Sequence, residues 1–374
     1  MGDYDMEKPL HALLNQEKLI GVLSKVLSKK ISLVDAQTKR LAGGTVGEVF
    51  LVEGVAWTTE GDKLPYELVL KIQEKWERPG DLMSWRREYD LYASDFAMVF
   101  SDLFCWPLCH HASMDGDTYQ LWMERARGNS GEDLTTDMLE KAALELGRFQ
   151  GRVHHYSETL RQLGCLGDLG YMERDHEEWE VQRYNYDFLC SEQCRIPEHV
   201  KKMIRKHPWN NGKTIEYNYL RSDECDIPIH LKQMIIDIDD NRKTIFEKMK
   251  RLPVVLCHRD FWFENIFYDE GRIVLIDWDC AGWGFLGEDI ASLIADDTKT
   301  ECLHEYYQRF IPAYLKGLSE YMEIPVMEKM RIWEMILIKF GYRMVQNHMF
   351  TESQSIKRKQ VKRLQAIFEM KNIE

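Results

Sequence analysis

No apolar run in this 374-residue sequence approaches the roughly 18 to 20 residues needed to cross a bilayer. The opening MGDYDMEKPLHALLNQEK is acidic from the start and lacks the basic-then-apolar pattern of a secretory signal. MGDYDM also lacks the Ser or Thr of a myristoylation signal. The expectation is a cytoplasmic protein with no membrane partner. Cysteine is sparse: nine residues, an odd number, without regular spacing, so free and mostly buried thiols are expected rather than a bridged scaffold. Basic charge is also short, and a net charge of −13 excludes a generic nucleic-acid binder, which would carry a positive patch. The basic run KRKQVKR at 357–363 reads as the solvated face of a C-terminal helix.

Polar residues of metal-binding type do occur together in CWPLCHH, which holds Cys105, Cys109, His110 and His111. No second CxxC or HxxxH completes a tetrahedral zinc site, and the segment alternates like a strand. A helix is predicted over 15–30, strands over 46–54 and 66–73, a helix near 81–96, then strands around 104–112 and 118–124 joined by the turn MDGD. RARGNSGED at 125–133 has the composition of a linker, and beyond it the pattern turns mostly helical. The expected fold is α+β and bilobal: a small antiparallel β-lobe with one helix at 1–125, a hinge at 126–133, and a larger helical lobe at 134–374. An insertion at about 157–250 contains a repeat, FLCSEQCRIPEHVKKMI (188–204) and YLRSDECDIPIHLKQMI (219–235), aligned without gaps. Two copies are too few for a solenoid. Each reads as a helix entered through Pro197 or Pro228.

The stretch LCHRDFWFENIFYDEGRIVLIDWD, 256–279, raises a sharper question. It sets carboxylates among residues that exist to be buried, which is costly unless something pairs with them. NIFY and IVLID flank the turn DEGR and read as a hairpin; if Tyr268 pairs with Ile273, Asn265 falls opposite Ile276, beside Asp277. Asp260 sits just upstream. One amide and two carboxylates converging at a packed core suit a hard cation such as Mg²⁺. The spacing H-x-D-x-x-x-x-N followed by a further Asp is that of kinase-type phosphoryl transfer. Asp260 would be the base or orienter of an acceptor hydroxyl, Asn265 and Asp277 the metal holders, and His258 would fix the loop by hydrogen bonding. Upstream, LAGGTVGEVF fits a phosphate-covering G-x-G-x-x-G-x-V loop at Gly44, Gly47 and Val49, with Ala42 in the first glycine position. Lys71 then lies inside the apolar strand LVLKIQ, where a bare ammonium needs a partner, and Glu88 in RREYDLY is the candidate.

With these elements in order, the chain resembles the aminoglycoside phosphotransferase and choline kinase superfamily, most closely through LCHRDFWFENIF and VLIDWDCAGWGFLGEDIASLI. The resemblance implies a protein-kinase-like fold, ATP (or GTP) and Mg²⁺ as cofactors, Asp260 as base, and Asn265 and Asp277 as metal ligands. It further implies that Asp289 braces the catalytic loop and that adenine binds the hinge backbone near Met123 to Ala126. Asp279 is an occasional acidic position near the metal. A protein kinase would show D-F-G and A-P-E; here DWD stands in the first place, no A-P-E follows, and Trp262 stands where a Lys is usual. These departures favour a small-molecule hydroxyl acceptor, cationic if acid-rich segments such as ERDHEEWE (173–180) wall the site. Trp278 and Trp283 could stack on a ligand or pack the core. The alternatives are a silent nucleotide-binding pseudokinase, or a kinase or nucleotidyltransferase acting on a protein.

Overall fold

Between Lys63 and Glu74 side chains alternate inward and outward, burying Tyr66, Leu68, Leu70 and Ile72 on one face, as period-2 patterning requires of a half-buried strand. The computed structural model of the chain describes residues 16–41, 46–78, 80–174, 189–192, 194, 196–207, 209, 211–323 and 330–372. They fall into two compact units: the chain up to Trp76 with Glu88–Ala97 and Trp106–Arg127, and Glu77–Arg87 with Met98–Cys105 and everything from Gly128 on.

The first unit starts with α1 (Gln16–Val26) and continues through β1 (Ile31–Arg40), β2 (Glu48–Thr58) and β3 (Lys63–Glu74). Helix α2 (Ser84–Tyr92) follows and ends within this unit. One sheet has the order β1-β2-β3-β6-β5, antiparallel throughout, with β5 at Cys109–Asp115 and β6 at Thr118–Met123. Leu19, Val22 and Leu23 of α1 join Phe50, Val52, Leu68 and Leu70 of the sheet in one core. Burying a leucine such as Leu23 stabilises by roughly 1.5–3 kcal/mol, so these residues anchor α1 to the sheet. Strand β1 lies outside the strands expected from the sequence. It is an edge strand with nearly every side chain exposed, so its apolar residues show no alternation.

A further correction concerns the strand expected over 104–112. The chain breaks at Trp106-Pro107, and β4 (Phe104–Cys105) pairs in parallel with a strand of the second unit, while β5 belongs to the first sheet. Proline has no N–H to give a ladder, which is why a continuous strand fails there. The helix expected near 81–96 is shorter, and a 3₁₀ turn at Asp95–Val99 follows it.

The second unit is largely helical. Its four-stranded sheet, β4-β10-β9-β7, contains β7 (Asn129–Ser130) and the hairpin of β9 (Ile266–Asp269) and β10 (Arg272–Leu275). A two-stranded sheet pairs β8 (Val254–Cys257) with β11 (Gly282–Phe285). The helices are α3 (Thr136–His154), α4 (Ser157–Arg161), α5 (Glu198–Lys206), α6 (Ile215–Leu220), α7 (Ile229–Asp240), α8 (Arg242–Met249), α9 (Glu288–Ala295), α10 (Leu303–Ser319), α11 (Ile332–Phe350) and α12 (Gln354–Met370). No helix among the described residues is long and apolar enough to cross a membrane.

Pro197 and Pro228 occupy the cap positions just before α5 and α7, with extended ψ of 143° and 141°. The equivalent histidines of the two copies both turn to C-terminal helices: His199 Nε2 lies 3.0 Å from Met349 O, and His230 Nε2 lies 2.8 Å from Gln365 Oε1. Of ERDHEEWE, positions 175–180 lie outside the described residues. The basic run on α12 is not wholly a solvated face. Arg363 donates to the carbonyls of Thr298 and Ala295, the latter at 2.6 Å, and so serves the orphan carbonyls at the end of α9.

Helices α3 and α10 meet through glycine. A Cβ on Gly147 would fall inside van der Waals contact of the Tyr314 carbonyl, and one on Gly317 inside that of Leu144. Gly147→Val is therefore expected to destabilise the fold by about 3 kcal/mol through overpacking. Gly21→Val, which meets open space, is the control for valine in a helix. Equal melting temperatures for the two variants would show that the helices separate without cost.

Candidate active site

Lys71 stands on β3 opposite Val49 of β2 and Leu121 of β6. Its Nζ lies 2.5 Å from Glu88 Oε2 on α2, with side chains 12% and 2% exposed. A carboxylate so deeply buried is tolerable because the ammonium meets it. Gly47, just before β2, is a close approach: a Cβ there would come 2.6 Å from Gln73 Oε1 and 3.1 Å from Ile72 O. The Gln73 amide donates to Val46 O at 3.2 Å, tying the end of the preceding loop to β3. Gly44 and Ala42 of that loop lie outside the described residues. Met123 ends β6, buried and paired with Val69 and Cys109. Ala126 follows between Arg125 and Arg127, whose guanidinium groups reach Glu67 at 2.7 and 3.1 Å.

In the second unit the hairpin has the register read from the sequence. Tyr268 pairs with Ile273, Ile266 with Leu275, and Ile276 N donates to Asn265 O at 3.1 Å. Asp277 follows at φ 66°, ψ 64°, a left-handed conformation that a non-glycine residue adopts at a cost and that here turns the chain out of β10. Arg259 is also left-handed, at φ 69°. Between these two bends Asn265 Nδ2 donates to Asp260 Oδ2 at 2.8 Å and to Asp260 O at 2.9 Å. With its NH₂ engaged in this way, Asn265 has its side-chain carbonyl to offer a cation.

The loop is held from below. Asp289 of α9 accepts from His258 N at 2.8 Å and from Arg259 N at 2.7 Å. His258 is buried, and its Nε2 lies 3.0 Å from Ile276 O, linking the loop to the hairpin end. Burial, with Glu288 adding to it, pushes the Asp289 carboxyl up to about 6, although the two backbone N–H donors pull the other way. Asp260 is also raised above the ordinary carboxylate range, by burial first and then by the charges of Asp277 and Asp296; the Asn265 amide and Lys339 oppose this.

Trp278 is core rather than a stacking platform: it is fully buried, donates to Leu275 O at 2.9 Å and packs edge-on against His258. The face of Trp283 is covered by Arg161, 4.6 Å from the ring centroid. Asp279 meets Arg78 at 3.0 Å. Among the described residues no group of three or more His, Cys, Asp or Glu could hold a metal ion, the Cys105, Cys109, His110 and His111 stretch included. Burial raises the Cys109 thiol to about 11 and lowers His110 and His111.

Residues 38–333, most of the chain, match the family described as the phosphotransferase enzyme family, APH. The chain belongs to that family. A comparison with curated proteins found no match. Among solved structures it is similar to an amicoumacin kinase in complex with AMP-PNP and Ca²⁺ (14% identity, 97% of this chain and 96% of that one, TM-score 0.43). It is similar also to a Plasmodium vivax ethanolamine kinase (15%, 97% and 88%, 0.46) and to a Streptomyces rimosus aminoglycoside phosphotransferase in complex with ADP and streptomycin (13%, 86% and 98%, 0.44). Likeness this distant does not choose an acceptor.

In this member of the phosphotransferase family several polar residues around the loop went unnoticed in the sequence. Gln150 of α3 donates to Asp289 Oδ2 and to Leu256 O, both at 3.1 Å, and accepts from Tyr314. Arg259 sends its guanidinium to Asp168 O at 2.5 Å and Trp283 O at 2.6 Å. Lys339 of α11 lies 2.5 Å from Ser292 Oγ and 3.4 Å from Arg259 O. Arg87 forks onto both oxygens of Asp81 at 2.7 Å and reaches Asp279 O. Apart from Asp81, six residues before Arg87, each partner is distant in sequence or a backbone carbonyl, so no local spacing marks it.

Proposed function

We propose that the chain is an ATP- and Mg²⁺-dependent phosphotransferase that moves the γ-phosphate to a hydroxyl of a small molecule. The observation that carries this reading is the Asp260 carboxylate, held by Asn265 at 2.8 Å on a loop whose N–H groups rest on Asp289, within the segment matched to the family. Asp260 would orient the acceptor hydroxyl and take its proton. Its elevated carboxyl supports that role, because a base works best when its pKa approaches the operating pH. Lys71, fixed by Glu88, would contact the α- and β-phosphates, with Gly47 and Val49 in the covering loop and the backbone of Met123 to Ala126 receiving the adenine. Mg²⁺ at Asn265 and Asp277 would neutralise phosphate charge; an amide oxygen and a carboxylate are hard donors of the kind it takes, with phosphates and water completing the shell.

The test is Mg²⁺-dependent ADP release across aminoglycosides, macrolides, choline, ethanolamine and sugars, with Asp260→Ala as control. Acceptor-dependent release abolished by that substitution supports the proposal. Failure to bind either ATP or GTP with Mg²⁺ overturns it in favour of a catalytically silent pseudokinase. Lys71→Ala is expected to lower kcat/KM for nucleotide by about 10²–10³-fold through the lost phosphate contact. A loss below tenfold would remove Lys71 from the phosphate site.

A further inference from the structure

Outside the residues of the proposed reaction, the second unit contains a cavity of about 490 Å³. It is walled by α7 and α8 on one side and by the start of α11 and the end of α12 on the other. The volume lies within the range of small-molecule pockets. Its apolar surface is aromatic: Trp333, Phe368 and the ring of His230 line it, with Met234, Ile238 and Ile245. Trp333 is fixed by Nε1 donating to Ile367 O at 2.8 Å, and Phe368 by edge contact with His230 at 5.1 Å. The indole and the phenyl ring are therefore pre-positioned rather than waiting to be ordered by a ligand.

The charges around these rings do not cancel. Three cations line the cavity, Lys248, Arg331 and Lys371, against two carboxylates, Asp237 and Glu334. Arg331 is paired with Glu334 at 2.5 Å. The Asp237 carboxylate accepts from the Gln233 amide at 2.6 Å. Among the described residues no ion pair is formed by Lys248 or Lys371, and Lys371 rests over the Trp333 ring, 4.9 Å from its centroid. On a chain of net charge −13 this is a local positive excess of one beside an aromatic wall.

We propose that this cavity binds a small organic anion: an aromatic body seated against Trp333 and Phe368, with a single negative group meeting Lys248 and Lys371. An apolar ring would displace water from the aromatic wall, and the anionic group would find Lys248 and Lys371, which have no ion pair among the described residues. Two negative groups would exceed the charge the cavity can neutralise, and a cation would meet Lys248 and Lys371 directly. The site is independent of the nucleotide residues, so its occupancy does not rest on the phosphotransferase reading.

The probe is 8-anilinonaphthalene-1-sulfonate, an aromatic monoanion whose fluorescence reports burial, titrated into the folded full-length chain. The expected result is saturable one-to-one binding, with energy transfer from Trp333 lost in Trp333→Phe and affinity reduced at least tenfold in Lys248→Glu/Lys371→Glu. Lys371 also rests over Trp333, so the melting temperature of the double variant is measured in the same sample, and binding is compared well below it, which separates loss of the ammonium groups from loss of the fold. The uncharged analogue N-phenyl-1-naphthylamine should bind at least tenfold more weakly. Absence of saturable binding, equal affinity in wild type and double variant, equal affinity for the uncharged analogue, or displacement of the probe by MgATP would each overturn the proposal.

Discussion

Asp260→Asn is expected to lower acceptor-dependent turnover by about 10²–10⁴-fold, the contribution of a positioned general base, while leaving nucleotide binding little changed. The substitution keeps the side-chain shape and leaves an oxygen for the Asn265 amide, which now donates to Oδ2 at 2.8 Å. It removes the negative charge. In the fold that charge is disfavoured by burial and by Asp277 and Asp296, so at neutral pH the ionised carboxylate weakens the native state relative to the unfolded chain. The variant should therefore melt at the wild-type temperature or above it, the pattern of a residue kept for chemistry at the expense of stability. Coupled ADP release and thermal melting on one preparation read both quantities. Turnover within tenfold of wild type would remove Asp260 as the base, and a clear fall in melting temperature would mean that its carboxylate supports the fold.

Asp289→Asn should act in the opposite sense on stability. One oxygen of Asp289 serves Arg259 N and the other serves both His258 N and the Gln150 amide. Asparagine has a single acceptor oxygen, so its NH₂ must face a buried donor, at a cost of about 1–3 kcal/mol. The loop bearing Asp260 loses an anchor, and a displacement near 1 Å lowers turnover by about 10²-fold. The pH dependence separates this carboxylate from a neutral prop. Its folded pKa of about 6 lies above the ordinary 3.8, so the native state holds the proton more tightly. The group's contribution to stability is therefore fully present below about pH 4 and lost as pH rises through 6. The wild type should gain stability from pH 7 to pH 5 more steeply than Asp289→Asn, as followed by denaturant midpoints. Parallel profiles would show that Asp289 is already protonated, or fully compensated, at neutral pH.

What could be read in the sequence was mostly local. The α+β class followed from period-2 segments giving way to helical ones, and the hairpin register followed from a four-residue turn, because turn length fixes which residues face one another. That register alone puts Asn265 beside Asp277. Lys71 drew attention because an ammonium in an apolar strand needs a partner, and the pair with Glu88 at 2.5 Å is one that chemistry could anticipate. Strand β1 could not be read in this way, since an exposed edge strand leaves no apolar alternation. Arg363 reads as solvated in the sequence, because a carbonyl at the end of another helix leaves no mark in a basic run.

The sequence by itself therefore determined the order of elements, the hairpin that joins an amide to a carboxylate, and membership of a phosphotransferase family over residues 38–333. Only the tertiary structure decided that Gln150 joins Asp289 under the loop, that Trp278 is core while Lys339 approaches the Arg259 carbonyl, and that Gly147 and Gly317 let two helices touch. The physical reason is range. Periodicity, turns and motifs act within a few residues of chain, whereas burial, charge pairing and close backbone approach depend on which distant segments the folded core brings together.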